Sequence, residues 1–564
     1  MNMKIKLLLT FAFAFLIVTG RAYSQTALEQ AVRESDIMKE ELKAKREQLK
    51  KVPEKAPEIE IKERPPLKEE KKFFVKKINL VGCESFSPQD FSVLTNKYEN
   101  KEVTFTELDN LCKEIEQEYI KRGIVAAVFI PQQEIINQTI TLQVVEARMG
   151  ELQINDHKYF KKNRLSYYWK VKQDEILRYD KVSQSLQEMN KNPDRKVRAV
   201  LHAGKKPRTT DVLLEPKTTF PVHLISSYDR EGVIASGKSR TGVGFKHNNL
   251  LGLDDTLIGG TTFGNDFNGE YAYHSIPITG RGTNLIYGYS HSSTRPKKDV
   301  TEFGIKSLSD SYSISLHQDI FKKADYLGDV YAGFEANDKT IKVSSEPANR
   351  DRLRIFNIGT SLQLRSFGSV TIINPEVFQG VDAFGASQNH NPMASRGAHS
   401  LFTKFNLALL HKRILPFGLQ TNLKFKSQVS STKLTPQEEF NLGGIDSVRG
   451  YPAADYQADN GINTSIEILS PAFFLPRDWK CAISKEPLRD IITPLIFVDY
   501  GWGMRRGALP TEKREVSMLG AGAGIRFKLF NKAYLRLEWG FPLGDRPLTQ
   551  GGHSQFHFAV DFET

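Results

Sequence analysis

The chain has 564 residues, a formal net charge of +12 and three cysteines. The cysteines, Cys83, Cys112 and Cys481, are too few for a disulfide framework and lack the spacing of a zinc site. A surplus of basic residues is typical of nucleic-acid-binding proteins. Here the Lys and Arg residues are spread along the chain rather than grouped on one helix. This pattern argues against nucleic acid and favours basic residues that line a pore or face anionic lipid.

The N-terminus predicts an export signal. Lys4 and Lys6 form a basic start, an apolar run of about a dozen residues covers 7–18, and small residues flank Tyr23. We therefore expect a signal peptide over 1–24, cleaved after Ser24, and an exported mature chain. A retained anchor is the alternative, but the apolar run is shorter than the about 20 residues that a spanning helix needs.

A polar helix and a proline-rich linker follow the signal. Within 25–50, Leu28, Ser35, Leu42 and Leu49 recur at heptad spacing, but the rest of the surface is charged and cannot build a core. This segment is either a solvated helix or tail, or a plug helix inside a water-filled, charged lumen. Residues 51–72 place prolines among alternating Glu and Lys and predict an extended, solvated linker.

Residues 73–148 predict a small α/β domain. The order is a strand over 74–81, a short helix at Ser87-Pro88, a helix opened by the Thr104–Glu107 capping box, and strands over 124–130 and 139–145. Cys112 falls on the apolar face of the second helix. A buried thiol is the simpler prediction for it, and a Cys83–Cys112 disulfide is the alternative.

A second α/β domain follows over 149–217 in shorter form. The pattern predicts a strand over 151–154, a helix over 180–189, and strands over 197–201 and 210–214. Neither domain contains a plausible catalytic cluster. They serve either as scaffolds or as binding modules in which an unfolded client pairs with an exposed sheet edge.

Residues 218–564 predict an antiparallel β-barrel that crosses a membrane. Over 519–528 the residues Leu519, Ala521, Ala523, Ile525 and Phe527 alternate with glycines and basic residues, and other segments repeat this alternation. A soluble sandwich would place its charges outside in the same way, but the export signal and the number of strands, about sixteen, favour a membrane barrel.

Two short motifs in the barrel region carry the chemistry. The first, Ser447-Val448-Arg449-Gly450-Tyr451, is a turn-forming loop tip. The second, Phe497-Val498-Asp499-Tyr500-Gly501, is an alternating strand that points Asp499 into the lumen if its aliphatic face meets lipid.

An arginine held in a membrane pore needs an anionic partner, because an unpaired buried charge is costly. The planar fork of Arg449 suits the carboxylate of Asp499. We therefore predict an Arg449–Asp499 pair that fixes the loop against the inner wall, acting either as a static strut or as a gate.

No catalytic motif is apparent elsewhere in the chain. The sequence has no Ser-nucleophile elbow and no H-E-x-x-H pattern. The alternating glycines of 520–524 lack a following phosphate-binding helix and fit a small-residue barrel strand. We expect no enzyme activity, no cofactor and no metal.

The two motifs resemble the VRGY loop motif and the F-x-D-x-G strand motif of the Omp85 superfamily, and within it the two-partner secretion outer-membrane transporters. The loop motif is carried by Val448, Arg449, Gly450 and Tyr451, and the strand motif by Phe497, Asp499 and Gly501. The β-α-α-β-β order of 73–148 is that of a POTRA domain, and 149–217 is similar to the second POTRA domain of the same family.

The resemblance implies an outer-membrane barrel of about sixteen strands, with an inward loop around 440–460, two periplasmic POTRA domains and an N-terminal plug helix. It implies that an unfolded exoprotein is recognised by the POTRA domains and threads outward without ATP. Outer-membrane lipid and the barrel assembly machinery are the other implied partners. A barrel assembly or insertion factor of the superfamily is the first alternative, although the polar helix and proline-rich linker argue against it. A passive porin is the second.

Overall fold

The computed structural model describes residues 22–48, 58–61, 72–280, 282–296, 304–322, 325–388, 391–481, 485–508, 512–529, 532–545 and 554–564. The chain divides into two compact units. One unit holds the N-terminal helix and the barrel, and the other holds the two α/β domains. Most of the predicted signal peptide over 1–24 lies outside the described residues.

Helix α1 spans Ala22–Gln48 and begins within the predicted signal peptide. Its sequence is polar throughout, so the helix gains little from an apolar face of its own. Its middle section is nevertheless buried, because it lies in the barrel unit. No helix among the described residues is long and apolar enough to cross a membrane.

The first α/β domain follows the predicted order, with one strand divided in two. The predicted strand over 74–81 breaks at Lys76, and its first half pairs with a short strand that the sequence did not reveal. The Thr104–Glu107 capping box is present and opens the long helix. The elements are β2 Lys72–Val75, β3 Lys77–Val81, a 3₁₀ turn Pro88–Phe91, α2 Ser92–Thr95, β4 Lys101–Thr104, α3 Phe105–Lys121, β5 Ala126–Phe129 and β6 Thr139–Glu146.

The apolar face of α3 packs on the sheet β3-β6-β5. Leu108, Leu111 and Ile115 are fully buried there, and the Cys112 side chain lies beside them. Cys83 and Cys112 remain thiols, so the disulfide alternative is not realised.

The second α/β domain contains a helix and a strand beyond those predicted. The extra helix α4 is short and buries only Leu165 and Tyr168, so its pattern was too weak to detect. The extra strand, β1 Ile59–Ile61, comes from the predicted linker, so the linker is not wholly solvated. The other elements of the domain are β7 Arg148–Ile154, α4 Lys162–Tyr168, α5 Tyr179–Met189, β8 Arg195–Ala203 and β9 Thr209–Thr218. The strands form one sheet in the order β1-β8-β9-β7.

Sixteen strands of the described residues close into an antiparallel barrel, which confirms the predicted fold class. The last strand pairs with the first, Ile225 opposite Glu563, and this pairing closes the ring. The strands are β10 Val222–Asp229, β11 Arg240–His247, β12 Thr256–Gly264, β13 Phe267–Thr279, β14 Thr283–Thr294, β15 Lys306–Lys322, β16 Tyr326–Val343, β17 Glu346–Ser366, β18 Ser369–Gly380, β19 Thr403–Ile414, β20 Gln420–Ser430, β23 Asn460–Leu469, β24 Ile492–Met504, β25 Glu515–Leu529, β26 Ala533–Pro542 and β27 Gln555–Glu563.

Alternate residues of the barrel strands face outward and inward. On β24, Ile496 and Val498 are more than half exposed, whereas Phe497 and Asp499 are buried. The outward residues are apolar and the inward ones include charges, as expected of a barrel whose outer face meets lipid. The first barrel strand begins at Val222, four residues after the predicted boundary at 218, because β9 continues to Thr218.

Candidate functional site

The loop over 431–459 connects β20 to β23, the eleventh and twelfth barrel strands, and folds into the lumen. Its two short strands, β21 Phe440–Leu442 and β22 Tyr456–Ala458, pair as an antiparallel hairpin. Loop side chains form an apolar cluster with Val516 and Met518 on the inner face of β25. The loop tip is therefore packed against the inner wall.

Arg449 at the loop tip contacts Asp499 on β24, the thirteenth barrel strand, through three hydrogen bonds. The guanidinium donates from Nε to Oδ2 at 2.7 Å and from Nη2 to Oδ1 at 2.6 Å. The backbone N–H of Arg449 also donates to Oδ2, at 3.0 Å. The carboxylate thus holds both the side chain and the backbone of the loop tip.

Two further acids complete the surroundings of Arg449. Its Nη1 lies 2.8 Å from Glu467 on β23 and 2.8 Å from Glu538 on β26. Arg526 on β25 contacts the same two glutamates, at 2.9 and 2.7 Å. Lys424 on β20 adds a third cation, 3.2 Å from Glu467. Three carboxylates, two guanidinium groups and one ammonium group therefore form one network whose formal charges balance at neutral pH.

The environment of Arg449 keeps its side chain charged. Burial lowers the pKa of the guanidinium, but the hydrogen bonds to Asp499 and the charges of the two glutamates outweigh burial and raise that pKa above its usual value. The ring of Phe497 lies 3.5 Å from the guanidinium carbon and adds a cation–π contact.

Glycines on three elements let the loop backbone touch the wall. Gly450 has φ +101°, and a Cβ there would lie 2.7 Å from the backbone of Phe541. On the wall, a Cβ on Gly520 would lie 2.0 Å from the Arg449 carbonyl oxygen, and one on Gly540 would lie 2.5 Å from the Gly450 nitrogen. A side chain at any of these positions would push the loop away from the strands.

The remaining motif residues also pack at this contact. The Val448 side chain is buried over Gly501, where a Cβ would come within 2.7 Å of it. The Tyr451 hydroxyl donates to the Leu519 carbonyl oxygen at 3.2 Å and accepts from the Gly544 N–H at 3.1 Å. The structure thus brings all seven predicted site residues together at one place on the inner wall.

Helix α1 lies inside the same lumen. Met38 and Leu42 pack in a small apolar cluster with wall residues of β12, β13 and β14. Most of the other contacts are charged. Asp36 lies 2.7 Å from Lys339, Lys39 lies 2.5 Å from Glu438, and Arg46 lies 3.2 Å from Glu335, while Lys43 pairs with Glu376; these pairs are spread along the helix.

The helix also contacts the inward loop directly. Arg33 donates from Nη1 to the Ala454 carbonyl oxygen at 2.5 Å and from Nε to the Gln457 side chain at 3.1 Å. Glu34 accepts from the Val233 N–H and the Ser236 hydroxyl in the loop between β10 and β11. The helix and the inward loop are thus in direct contact inside the lumen.

Comparison with known proteins identifies this arrangement. Residues 208–527 match the family described as haemolysin secretion/activation protein ShlB/FhaC/HecB, and residues 73–147 match the ShlB-type POTRA domain. The chain belongs to this family. Its members are two-partner secretion transporters, so the protein is an outer-membrane transporter that translocates an exoprotein, with its POTRA domains in the periplasm.

Relatives and solved structures agree with this assignment. The chain is 22% identical over 511 residues to the heme/hemopexin transporter protein HuxB of Haemophilus influenzae, covering 87% of each chain. It is 21% identical over 413 residues to the outer membrane transporter CdiB of Dickeya dadantii, covering 72% of this chain and 73% of that one.

Among solved structures, CdiB from Escherichia coli matches with a TM-score of 0.67 at 18% identity, over 95% of this chain and 99% of that one. BamA from Haemophilus ducreyi, lacking POTRA domains 1–3, matches with a TM-score of 0.59 at 13% identity, over 87% and 100%. At these identities the structures show the fold alone.

Four members of the transporter's network were not predicted. They lie on different strands, and each faces the lumen beside apolar outward residues: Glu467, Arg526, Glu538 and Lys424. The alternation placed Glu538 and Arg526 on the polar faces of their strands. It did not indicate that they meet Arg449, because strand neighbours depend on the barrel register. Among the described residues, no group of three or more His, Cys, Asp or Glu side chains is arranged to hold a metal ion.

Proposed function

We propose that α1 is the movable plug of this transporter and that Arg449 holds the inward loop fixed as a strut. The single observation that carries the proposal is that most ion pairs of α1 keep one partner partly exposed, whereas Arg449 and its three acidic partners are all buried. Arg449 is 2% exposed and its three acidic partners are fully buried, so separating them leaves several unpaired charges in a dry site.

The contacts of α1 are easier to replace. The side chains of Lys39 and Lys43 are 23% and 33% exposed, and water can solvate both partners of such pairs after they separate. The stronger ties are the buried Asp36–Lys339 and Glu34–Arg240 pairs and the contacts of Arg33. The apolar part of the interface is small. Among the described residues, Met38 and Leu42 are the α1 side chains that join the apolar cluster with β12, β13 and β14.

In this proposal, an unfolded exoprotein binds the POTRA domains by strand addition, α1 leaves the lumen, and the exoprotein passes outward through the space that α1 had filled. Folding outside the cell makes the transfer irreversible without ATP, and no catalytic step is involved. The outer face of the barrel contacts outer-membrane lipid, and the barrel assembly machinery inserts the protein.

Single-channel conductance in planar bilayers tests the plug. The mature protein is compared with a version lacking residues 26–50. The proposal predicts small or rare openings for the mature protein and a large, steady conductance for the shortened one. Equal conductance in the two proteins would contradict it.

Secretion is tested separately in cells by comparing the proteins in the culture supernatant with and without the transporter. The proposal predicts loss of one exoprotein and its recovery when the transporter is restored. A general loss of outer-membrane barrels, with the supernatant unchanged, would instead indicate an insertion factor.

A further inference from the structure

The strand β1, from the segment between α1 and the first POTRA domain, occupies one edge of the second POTRA sheet. It pairs in parallel with β8, placing Ile59 opposite Ala199 and Ile61 opposite Leu201. The Ala199 N–H donates to the Glu58 carbonyl oxygen at 3.2 Å. Since β1 is the outermost strand, its departure would expose the outer edge of β8, whose other edge stays paired with β9.

The chemistry of this edge is selective. Ile59 packs against the apolar core of the domain. On the other face, Glu58 lies 3.2 Å from Lys196, and Glu60 lies 3.1 Å from Arg198. The edge therefore fits an extended segment that alternates acidic and β-branched apolar residues, since successive side chains point to opposite faces.

We propose that the β8 edge is a binding site for an extended segment of the exoprotein, and that β1 is an internal occupant that the exoprotein displaces. This inference rests on the proposed function. The exoprotein segment it predicts has the chemistry of β1, with acidic residues facing Lys196 and Arg198 and apolar residues facing the core.

The difference in length between β1 and β8 favours displacement of β1 by a longer exoprotein strand. Strand β1 has three residues, whereas β8 has nine, from Arg195 to Ala203. An exoprotein strand that pairs along more of β8 gains further backbone hydrogen bonds and cross-strand side-chain contacts, each of which stabilises the pairing. Occupation by β1 lowers the apparent affinity for every competitor, so short or poorly matched segments are rejected.

Displacement also lengthens the connection to the plug. Nine residues, 49–57, separate the end of α1 from Glu58, and 23 residues, 49–71, separate it from Lys72. Releasing β1 therefore adds 14 residues of chain, or roughly 46 Å at full extension. Helix α1 has 27 residues and is about 40 Å long. The contour length of the added chain is therefore comparable with the length of α1 itself.

Peptide binding to the full-length protein in detergent tests the site. The probe is a fluorescent peptide copying residues 57–63, and the control peptide carries Lys in place of its three Glu residues. The variant E58K/E60K repels β1 from Lys196 and Arg198 without changing the POTRA domain, and I59D removes the apolar contact instead.

We expect both variants to bind the probe at least tenfold more tightly than the wild type, and K196E/R198E to prefer the control peptide. Equal affinity in wild type and E58K/E60K, or equal binding of both peptides, would overturn the site.

Hydrogen exchange tests the link to the plug. Saturating probe is expected to speed amide exchange in α1 severalfold in the wild type, and E58K/E60K is expected to show the faster exchange without probe. Unchanged exchange in α1 despite bound probe would overturn the link. The supernatant comparison is independent of these readouts. Exoprotein secretion without probe binding rejects the β8 site, and probe binding without exoprotein secretion rejects the proposed function.

Discussion

Arg449 on the inward loop and Asp499 on β24 form a two-pronged ion pair, at 2.7 and 2.6 Å, in which neither side chain is more than 2% exposed. The same carboxylate accepts the backbone N–H of Arg449 at 3.0 Å. The loop tip is thus fixed by side chain and backbone at once, 50 residues away in sequence from the strand that holds it.

Replacing Arg449 by alanine should destabilise the barrel strongly. It leaves the three carboxylates of Asp499, Glu467 and Glu538 buried together with two cations, Arg526 and Lys424, to neutralise them. Loss of one partner of a buried ion pair costs about 3–5 kcal/mol. Urea unfolding in detergent measures the effect, with R413A at an exposed position as the control. If R449A were as stable as R413A, Arg449 would not act as a strut.

Lengthening either wall glycine should displace the loop tip. In G520V and G540V the new side chain meets the backbone of Arg449 or Gly450, which has no space to retreat. We expect both variants to lose protection of the loop from a protease added outside the cell. The control is A521V, which changes the neighbouring residue on the outward face of the same strand. Equal protection in G520V and A521V would show that the loop does not need this approach.

Removal of the Tyr451 hydroxyl should have a smaller effect. The Y451F variant leaves the Leu519 carbonyl oxygen and the Gly544 N–H without this partner. Both groups keep another partner, because the Leu519 carbonyl oxygen also accepts from the Leu543 and Gly544 N–H groups, at 2.7 and 3.2 Å. The variant therefore loses only the net contribution of its hydrogen bonds, about 0.5–1.5 kcal/mol each. Urea unfolding should show a loss at the lower end of this range, whereas Y534F, at an exposed position, should match the wild type. A larger loss of stability in Y534F than in Y451F would argue against a stabilising role for the Tyr451 hydroxyl.

Reversing one charge on the plug should open the channel more often, and reversing its partner should restore closure. Lys43 on α1 pairs with Glu376 on β18. The variant K43E places two acids together, and K43E/E376K restores an opposite pair. Single-channel recordings should show more frequent openings in K43E and near-normal recordings in the double variant. If both variants open equally often, this pair does not hold α1 in the lumen.

The main features of the fold were visible in the sequence because they have a local cause. The strand alternation, the Thr104–Glu107 capping box and the polar character of α1 each follow from residues close together in the chain. The strand β1 was missed because only three residues pair, and their stability comes from β8 about 140 positions away.

The Arg449–Asp499 pair was predicted from two motifs, whereas its wider network was not. Glu467 and Glu538 reach Arg449 because β23, β24, β25 and β26 are neighbours in register within a closed ring. The glycine contacts are likewise three-dimensional, since Gly520 and Gly540 read in sequence only as small residues in strands. Such features depend on packing between distant segments, which periodicity does not encode.

Tethering α1 to the barrel wall shows whether the helix must leave the lumen for the pore to open, as we claim. Met38 lies against Gly269 on β13, where a Cβ would come within 2.2 Å of the methionine sulfur. This contact makes M38C/G269C the pair of choice for a disulfide tether, and a shift in gel mobility on reduction shows whether the bond has formed. In planar bilayers we predict that the oxidised variant shows no large openings, and that reduction restores those of the two single-cysteine controls. Large openings in a fully oxidised sample would contradict the claim.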